Sequence, residues 1–197
     1  NLVALTDRWN KLSDYVAATV LNADDIKLRR TLIAKFLDIA NAMLKLNNFN
    51  GMTAINSGLH NTAMNRLKKT YEGLSPEAAA IRKKLQELSD PLSSSKNMRD
   101  AFKEVFGPCV PPIHIYLKDL IFMDDGNDAS KQGMVNVTKI RLMSAVIIKI
   151  RVHQQTPYPI EPIPYVRDQF ISVLFKNLPS EDDMWKRSLI VEPRAQQ

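Results

Sequence analysis

The stretch IYLKDLIFMDDGND, residues 115–128, decides how the chain is read. In a helix, successive side chains turn by roughly 100°. Ile113, just upstream, then joins Tyr116, Leu117, Leu120 and Met123 in one apolar stripe, the expected core face. Ile115, Lys118, Ile121, Phe122 and Asp125 fall on or beside the opposite face, where a surface helix is normally polar. That face is half apolar, and it ends in an acidic pair, Asp124 and Asp125. Two readings are open. Either a neighbouring helix buries Ile121 and Phe122, or the face is kept for a partner.

Outward from this stretch the pattern is helical almost everywhere. Downstream, a loop leads to a helix over about 135–152, so that the two could pair as a hairpin. Upstream, a helix over about Lys96 to Phe106 stops at Gly107-Pro108. Residues 1–21 carry Leu2, Leu5, Trp9, Leu12, Tyr15, Val16 and Val20 at helical spacing. Asn22 or Asp24 then offers a cap for a second helix reaching about Leu46. It is apolar most of the way round, as expected of a buried central helix. The run NNFNG breaks it, and a short helix follows from Gly51 to about His60. Ser75-Pro76-Glu77 opens a helix to about Leu88, with serine at the cap and proline in the first turn. QQTPYPIEPIP is extended proline punctuation; Val166 to Phe175 and the segment after Ser180 complete the helices. No repeat and no convincing strand ladder stands out. The expectation is one all-α domain.

The 197 residues suffice for one substantial core, burying roughly 70% of the unfolded surface. No apolar run approaches the ~20 residues of a membrane span, and no signal-peptide pattern opens the sequence. The single cysteine, Cys109, excludes an internal disulfide and suits a reducing compartment, so a cytoplasmic location is expected. The Asn136-Val137-Thr138 sequon is then incidental. A net charge of +6 favours an acidic partner, whether nucleic acid, anionic membrane or protein. The bases, among them Arg29-Arg30, Lys68-Lys69 and Arg82-Lys83-Lys84, are interleaved with acids and read as solvated helix faces.

Catalytic machinery is thin. The scattered glycines form no phosphate loop, and three histidines with one cysteine give no metal spacing, so no cofactor or metal is expected. Cys109 lies among prolines and reads as a structural thiol. DDGND lacks the alternating acids of a calcium loop; Gly126 reads better as a left-handed helix cap. No basic helix pair presents a nucleic-acid recognition face, and no nucleic-acid partner is expected.

Longer motifs add what spacing cannot. LKLNNFNGMTAINSGLHNTAMNRLKKTYEGL (44–74) is followed in order by PCVPPIHIYLKDLIFMDDGN (108–127), VNVTKIRLM (135–143), HQQTPYPI (153–160) and SLIVEPR (188–194). Together they resemble the catalytic domain of the Ras-family guanine-nucleotide exchange factors, of Son-of-sevenless type. The resemblance covers essentially the whole chain, 1–197, and the family's domain begins with helical segments that precede the match to Asn1-Leu2.

The resemblance implies a helical bowl that grips the switch II region of a Ras-like small GTPase, with a protruding helical hairpin that displaces switch I. On it, Ile121 approaches the magnesium site and Asp125 the phosphate-binding loop, flanked by Lys118, Phe122 and Asn127. It places Thr53, His60, Thr62, Asn65 and Met98 at the switch II contact. It also implies catalysis of exchange without covalent chemistry, and a cytoplasmic protein recruited to membranes through the GTPase or other domains. His60 stands where the family commonly has asparagine, PIH at 112–114 replaces aromatic-leucine-glycine, and the basic start of the returning helix is diluted to Lys139-Ile140-Arg141-Leu142. These departures bear on GTPase choice. Beside this reading stand a helical scaffold that holds a GTPase without opening it, and a helical nucleic-acid binder.

Overall fold

The computed structural model describes residues 1–90, 95–103, 105–131, 133–174 and 177–193. Helices dominate, in the order α1 (Leu2–Leu21), α2 (Ile26–Lys45), α3 (Phe49–Leu59), α4 (Thr62–Asn65), α5 (Lys68–Glu72), α6 (Pro76–Leu88) and α7 (Lys96–Lys103). Then follow α8 (Ile113–Asp125), strands β1 (Ser130–Lys131) and β2 (Met134–Val135), α9 (Val137–His153), α10 (Pro164–Leu174) and α11 (Glu181–Val191). The architecture is all-α, as the periodicity predicts.

The central helix is α3, not α2. Ile33, Leu37 and Ala40 bury one face of α2, while Lys35, Asp38 and Ile39 on its other side are exposed. In α3 the apolar Phe49, Met52, Ala54, Ile55 and Leu59 are buried, and so are Asn50, Thr53, Asn56 and Gly58. Its polar residues disguise it in sequence, yet several carry internal bonds. Thr53 Oγ1 donates to the Asn50 carbonyl (2.9 Å) and accepts from Trp9 Nε1 (3.1 Å). Gly58 lets α1 come close: a Cβ there would lie 2.4 Å from the Ser13 carbonyl oxygen.

The break between α2 and α3 is built by the asparagines. Asn47 adopts φ 58°, the left-handed turn that ends a helix. Its N–H bonds the Leu44 carbonyl (3.0 Å), and the Asn48 N–H bonds that of Met43 (2.8 Å). Asn48 Oδ1 then caps α3 by accepting from the Gly51 N–H (2.9 Å). The same corner holds the segment leading into α8. Asn50 N–H donates to the Val110 carbonyl (3.1 Å), and Val110 N–H to the Asn47 carbonyl (3.0 Å).

Some boundaries differ from expectation. Asp25, rather than Asn22 or Asp24, caps α2, its carboxylate accepting from the Leu28 N–H at 3.1 Å. α7 is described over Lys96–Lys103, and Val105 and Phe106 are not helical. The expected end of α10 at Phe175 lies outside the described residues, as does Arg194 of the last motif. The two-residue strands β1 and β2 pair antiparallel, Ser130 with Val135 and Lys131 with Met134, where no ladder is evident in sequence. Asn136 of the sequon is occupied locally: its Oδ1 caps α9 through the Lys139 N–H (3.0 Å), and its Nδ2 donates to Asp128 O (2.9 Å).

Not every base is solvated. Arg29 is 2% exposed, donating to the carbonyls of Ala23 (2.9 Å), Asp24 (2.8 Å) and Val191 (3.2 Å) and to Thr70 Oγ1 (3.2 Å). Glu192 is buried beside it and accepts from the Lys69 N–H (2.9 Å) and from Thr70. This polar knot fastens the end of α11 to α2 and α5. An arginine beside another arginine in a helix gives no sign of it, because the knot needs Thr70 and Val191, 41 and 162 positions on.

Candidate functional site

Helices α8 and α9 run side by side, and burial falls away along α8. Ile113, Ile115 and Tyr116 are buried at its base, whereas Ile121, Phe122, Asp124 and Asp125 are exposed at its tip. The outward placement expected for Ile115 is therefore wrong: at 2% exposure it joins the core. The base of α8 is enclosed on more than one side, and a single-face reading cannot anticipate that. The alternative burial of Ile121 and Phe122 is not what the structure has, for they stand 59% and 63% exposed. Leu120 and Met123, on the other stripe, are half-buried against the core.

The acidic pair divides its labour. Asp124 is taken by α9: Lys139 Nζ lies 2.6 Å from its carboxylate and donates to its carbonyl at 3.0 Å. Among the described residues no cation pairs with Asp125. Gly126 is not left-handed; its φ is −82° and its N–H still bonds the Phe122 carbonyl at 3.0 Å. A Cβ there would come 2.8 Å from that same carbonyl oxygen, so close approach accounts for the glycine. The side chain of Asn127 finishes the helix, donating to the Met123 carbonyl (3.0 Å). Lys118 leans over the Phe122 ring, 5.6 Å from its centroid. Lys118, Ile121, Phe122 and Asp125 thus form one exposed strip at spacings of three and four residues. Asn127, half-buried, sits just beyond it.

A bidentate pair links α8 to α7: Arg99 Nη1 and Nη2 donate to Asp119 Oδ2 and Oδ1 at 2.7 and 2.6 Å. Beside the base of α8 lies a cavity of about 430 Å³, lined by Trp9, Thr53, Asn56, Met98, His114 and Ile115 among others. Thr53 and Met98 therefore meet there, but both are buried, at 6% and 2% exposure. Trp9 and His114 rings stand 6.2 Å apart at the same place. Sequence context marks neither as a site residue, although a tryptophan near the start of an amphipathic helix is a usable signal.

His60, Thr62 and Asn65 cluster separately, at the end of α3 and along α4. Thr62 and Asn65 are exposed, and Asn65 Nδ2 donates to the His60 carbonyl (2.7 Å). His60 Nδ1 must donate to the Asn56 carbonyl at 2.7 Å, which leaves Nε2 to accept from Gln86 Nε2 at 2.5 Å. Both ring nitrogens are engaged, and the imidazole is neutral in this arrangement. Burial lowers its pKa from the ordinary 6.5, and the nearby Arg82 charge acts in the same direction against the Asn56 bond. Arg82 itself covers the Tyr71 ring at 4.1 Å, and the Tyr71 hydroxyl donates to the Leu59 carbonyl (2.5 Å).

Cys109 is buried, and burial pushes its thiol up to about 11, so it is a poor nucleophile. Among the described residues no cluster of histidine, cysteine or carboxylate side chains could hold a metal. No described helix is long and apolar enough to cross a membrane. The arrangement offers contact surfaces: an exposed strip with one free carboxylate, a cavity and a polar cluster.

Comparison with known proteins places the chain in a family. The family described as the RasGEF domain matches residues 1–141. The chain is 32% identical over 194 residues to Ras-specific guanine nucleotide-releasing factor 1 of Mus musculus, covering 98% of this chain and 15% of that protein. It is 34% identical over 194 residues to Ras-specific guanine nucleotide-releasing factor 2 of Danio rerio, with the same coverage of 98% and 15%. Ras guanine nucleotide exchange factor P of Dictyostelium discoideum is 32% identical over 196 residues, covering 98% of this chain and 13% of that protein. The chain thus spans only a small part of the length of these relatives.

Proposed function

The chain belongs to the RasGEF domain family, and on that premise we propose that it is a guanine-nucleotide exchange factor for a Ras-like small GTPase. The observation that carries this reading is the tip of α8. Ile121 is 59% exposed, and Asp125, unlike its neighbour Asp124, has no cationic partner among the described residues. An apolar side chain and a free anion one turn apart suit a site that holds a magnesium ion and phosphates. Ile121 would replace the ion's polar surroundings; Asp125 would repel phosphate and offer the phosphate loop's donors another acceptor. Lys118 and Phe122 flank this wedge, and Asn127 fixes the helix end beneath it.

The body supplies the grip. Exposed Thr62 and Asn65 meet switch II directly, whereas buried Thr53 and Met98 reach it only through a side chain entering the cavity beside Trp9 and His114. His60 acts by shape, since both its nitrogens are occupied. No covalent chemistry is involved. The domain binds the nucleotide-free GTPase best, so by linkage it weakens nucleotide binding by the factor by which nucleotide weakens it. A ~pM nucleotide affinity is worth about 16 kcal/mol, so the wedge and the grip must share the compensation. Cellular GTP excess sets the direction. The basic balance of +6 suits a cytoplasmic protein working on a lipidated GTPase at an anionic membrane.

Release of a fluorescent GDP analogue from purified Ras, Rap and Ral proteins tests the proposal. Acceleration of at least one is expected. Saturable binding to a nucleotide-free GTPase with no acceleration of release from any would assign the chain to GTPase-binding scaffolds instead.

A further inference from the structure

A second cavity, of about 630 Å³, lies between α7 and the inner sides of α8 and α9. It shares no lining residue with the strip Lys118, Ile121, Phe122 and Asp125. Its floor is apolar, with Phe102 and Val146 at 6% and 4% exposure. Its rim carries Lys103, Lys149 and His153. Arg99 and Asp119, also on the rim, neutralise each other through their bidentate pair. Lys103 and Lys149 have no anionic partner among the described residues. Asp100 is the remaining acid there, and it is exposed. Among the described residues the free cations Lys103 and Lys149 outnumber the one free acid, Asp100, and an apolar trough under such a rim is complementary to an anion with a greasy body.

The volume bounds that body. It falls within the roughly 300–1,000 Å³ of small-molecule cavities. A helix of even ten residues, about 15 Å long and 10 Å across, would overfill it. We propose that this groove is a binding site for a single-chain carboxylate amphiphile of the fatty-acid class, its head held by Lys103, Lys149 and His153 and its chain laid over Phe102 and Val146. The site bridges the body and the hairpin, so its occupant touches both. The proposal does not depend on exchange activity.

Titration calorimetry with decanoate, below its micellar concentration and at low ionic strength, tests it. One saturable site is expected, and octanoate should bind roughly sixteenfold more weakly, because each buried methylene contributes about a fourfold gain. Lys103→Glu with Lys149→Glu should weaken decanoate at least tenfold while leaving melting temperature and basal GDP release unchanged. Lys149→Gln alone, a neutral change at an exposed position, should weaken it about threefold and stands in should the double variant lose its fold. Decanol should bind at least tenfold more weakly than decanoate. Equal binding of decanol, indifference to chain length, no saturable site, or undiminished affinity in the lysine variants would overturn the proposal. So would an acidic helical peptide that displaces decanoate and binds more tightly through the same lysines.

Discussion

Truncating Ile121 separates a residue kept for a partner from one kept for the fold. Fully burying an isoleucine is worth about 1.5–3 kcal/mol, and at 59% exposure roughly two-fifths of that applies, about 0.6–1.2 kcal/mol. Alanine retains part of that burial and is the better helix former by a few tenths of a kcal/mol. Ile121→Ala should therefore cost well under ~1 kcal/mol, lowering the melting temperature of a 197-residue chain by no more than about 2–4 °C. If Ile121 is an interface anchor, its loss should cost about 2 kcal/mol of transition-state stabilisation, close to a 30-fold slower GDP release. Asp125→Asn should leave the melting temperature within about 2 °C and slow release comparably, since no cation among the described residues depends on it. Leu120→Ala is the contrast: half-buried against the core, it should cost ~1–3 kcal/mol, with an exchange defect that follows its loss of fold. Each variant is read by thermal melting beside release of labelled GDP from the responsive GTPase. Unchanged release in both Ile121→Ala and Asp125→Asn would sink the wedge assignment. Unfolding of both would mean that the tip of α8 is a structural element after all.

Arg29→Met leaves the Ala23, Asp24 and Val191 carbonyls without their donor, and should cost about 3 kcal/mol or more, read as a fall in melting temperature of about 6–12 °C. A change below 2 °C would show the knot to be dispensable. His60, His114 and His153 are all held below the ordinary 6.5 by burial, so the unfolded chain takes up protons first. Their contribution is complete above pH ~6.5 and is lost as pH falls below it towards the depressed folded values. Melting temperature should decline between about pH 6.5 and 5, and His60→Asn should flatten part of that decline; a flat profile in the parent would contradict the burial argument. Asp119→Asn removes the bidentate clasp on Arg99, which is partly exposed, and should cost only about 1 kcal/mol. Because the clasp joins α7 to α8, GDP release should slow severalfold, and a variant that exchanges at the parental rate would deny it a positioning role.

The helices are largely legible in sequence because caps and apolar period agree with the fold: Ser75 caps α6, and Ile113, Tyr116, Leu120 and Met123 of the predicted stripe do meet the core. What escapes is whatever depends on partners far along the chain. α3 is buried although it is rich in polar residues, and one of them, Thr53, is met by Trp9, 44 positions away. Arg29 looks like any surface base until Val191, 162 residues on, returns to meet it. At the candidate site the outward strip is readable from period alone, since 100° steps carry Ile121 and Phe122 off the stripe that meets the core. The division between Asp124 and Asp125 is not, because it rests on where Lys139 of the returning helix arrives. Trp9 and His114 go unmarked for the same reason: their meeting at the cavity is tertiary.

The joint that holds the approach to α8 is made of main chain. Val110 both gives and receives its bonds through peptide groups, with Asn47 and Asn50 opposite. Such a fastening is indifferent to which side chain occupies position 110, provided that it is not proline, which would lack the N–H. Drift at this half-buried position therefore leaves these main-chain bonds available, and with them the attachment of the segment that leads into α8. Descendant sequences can then exchange residues along the exposed strip, and on the proposed wedge role change the partner it meets, without having to reinvent the mount that carries it.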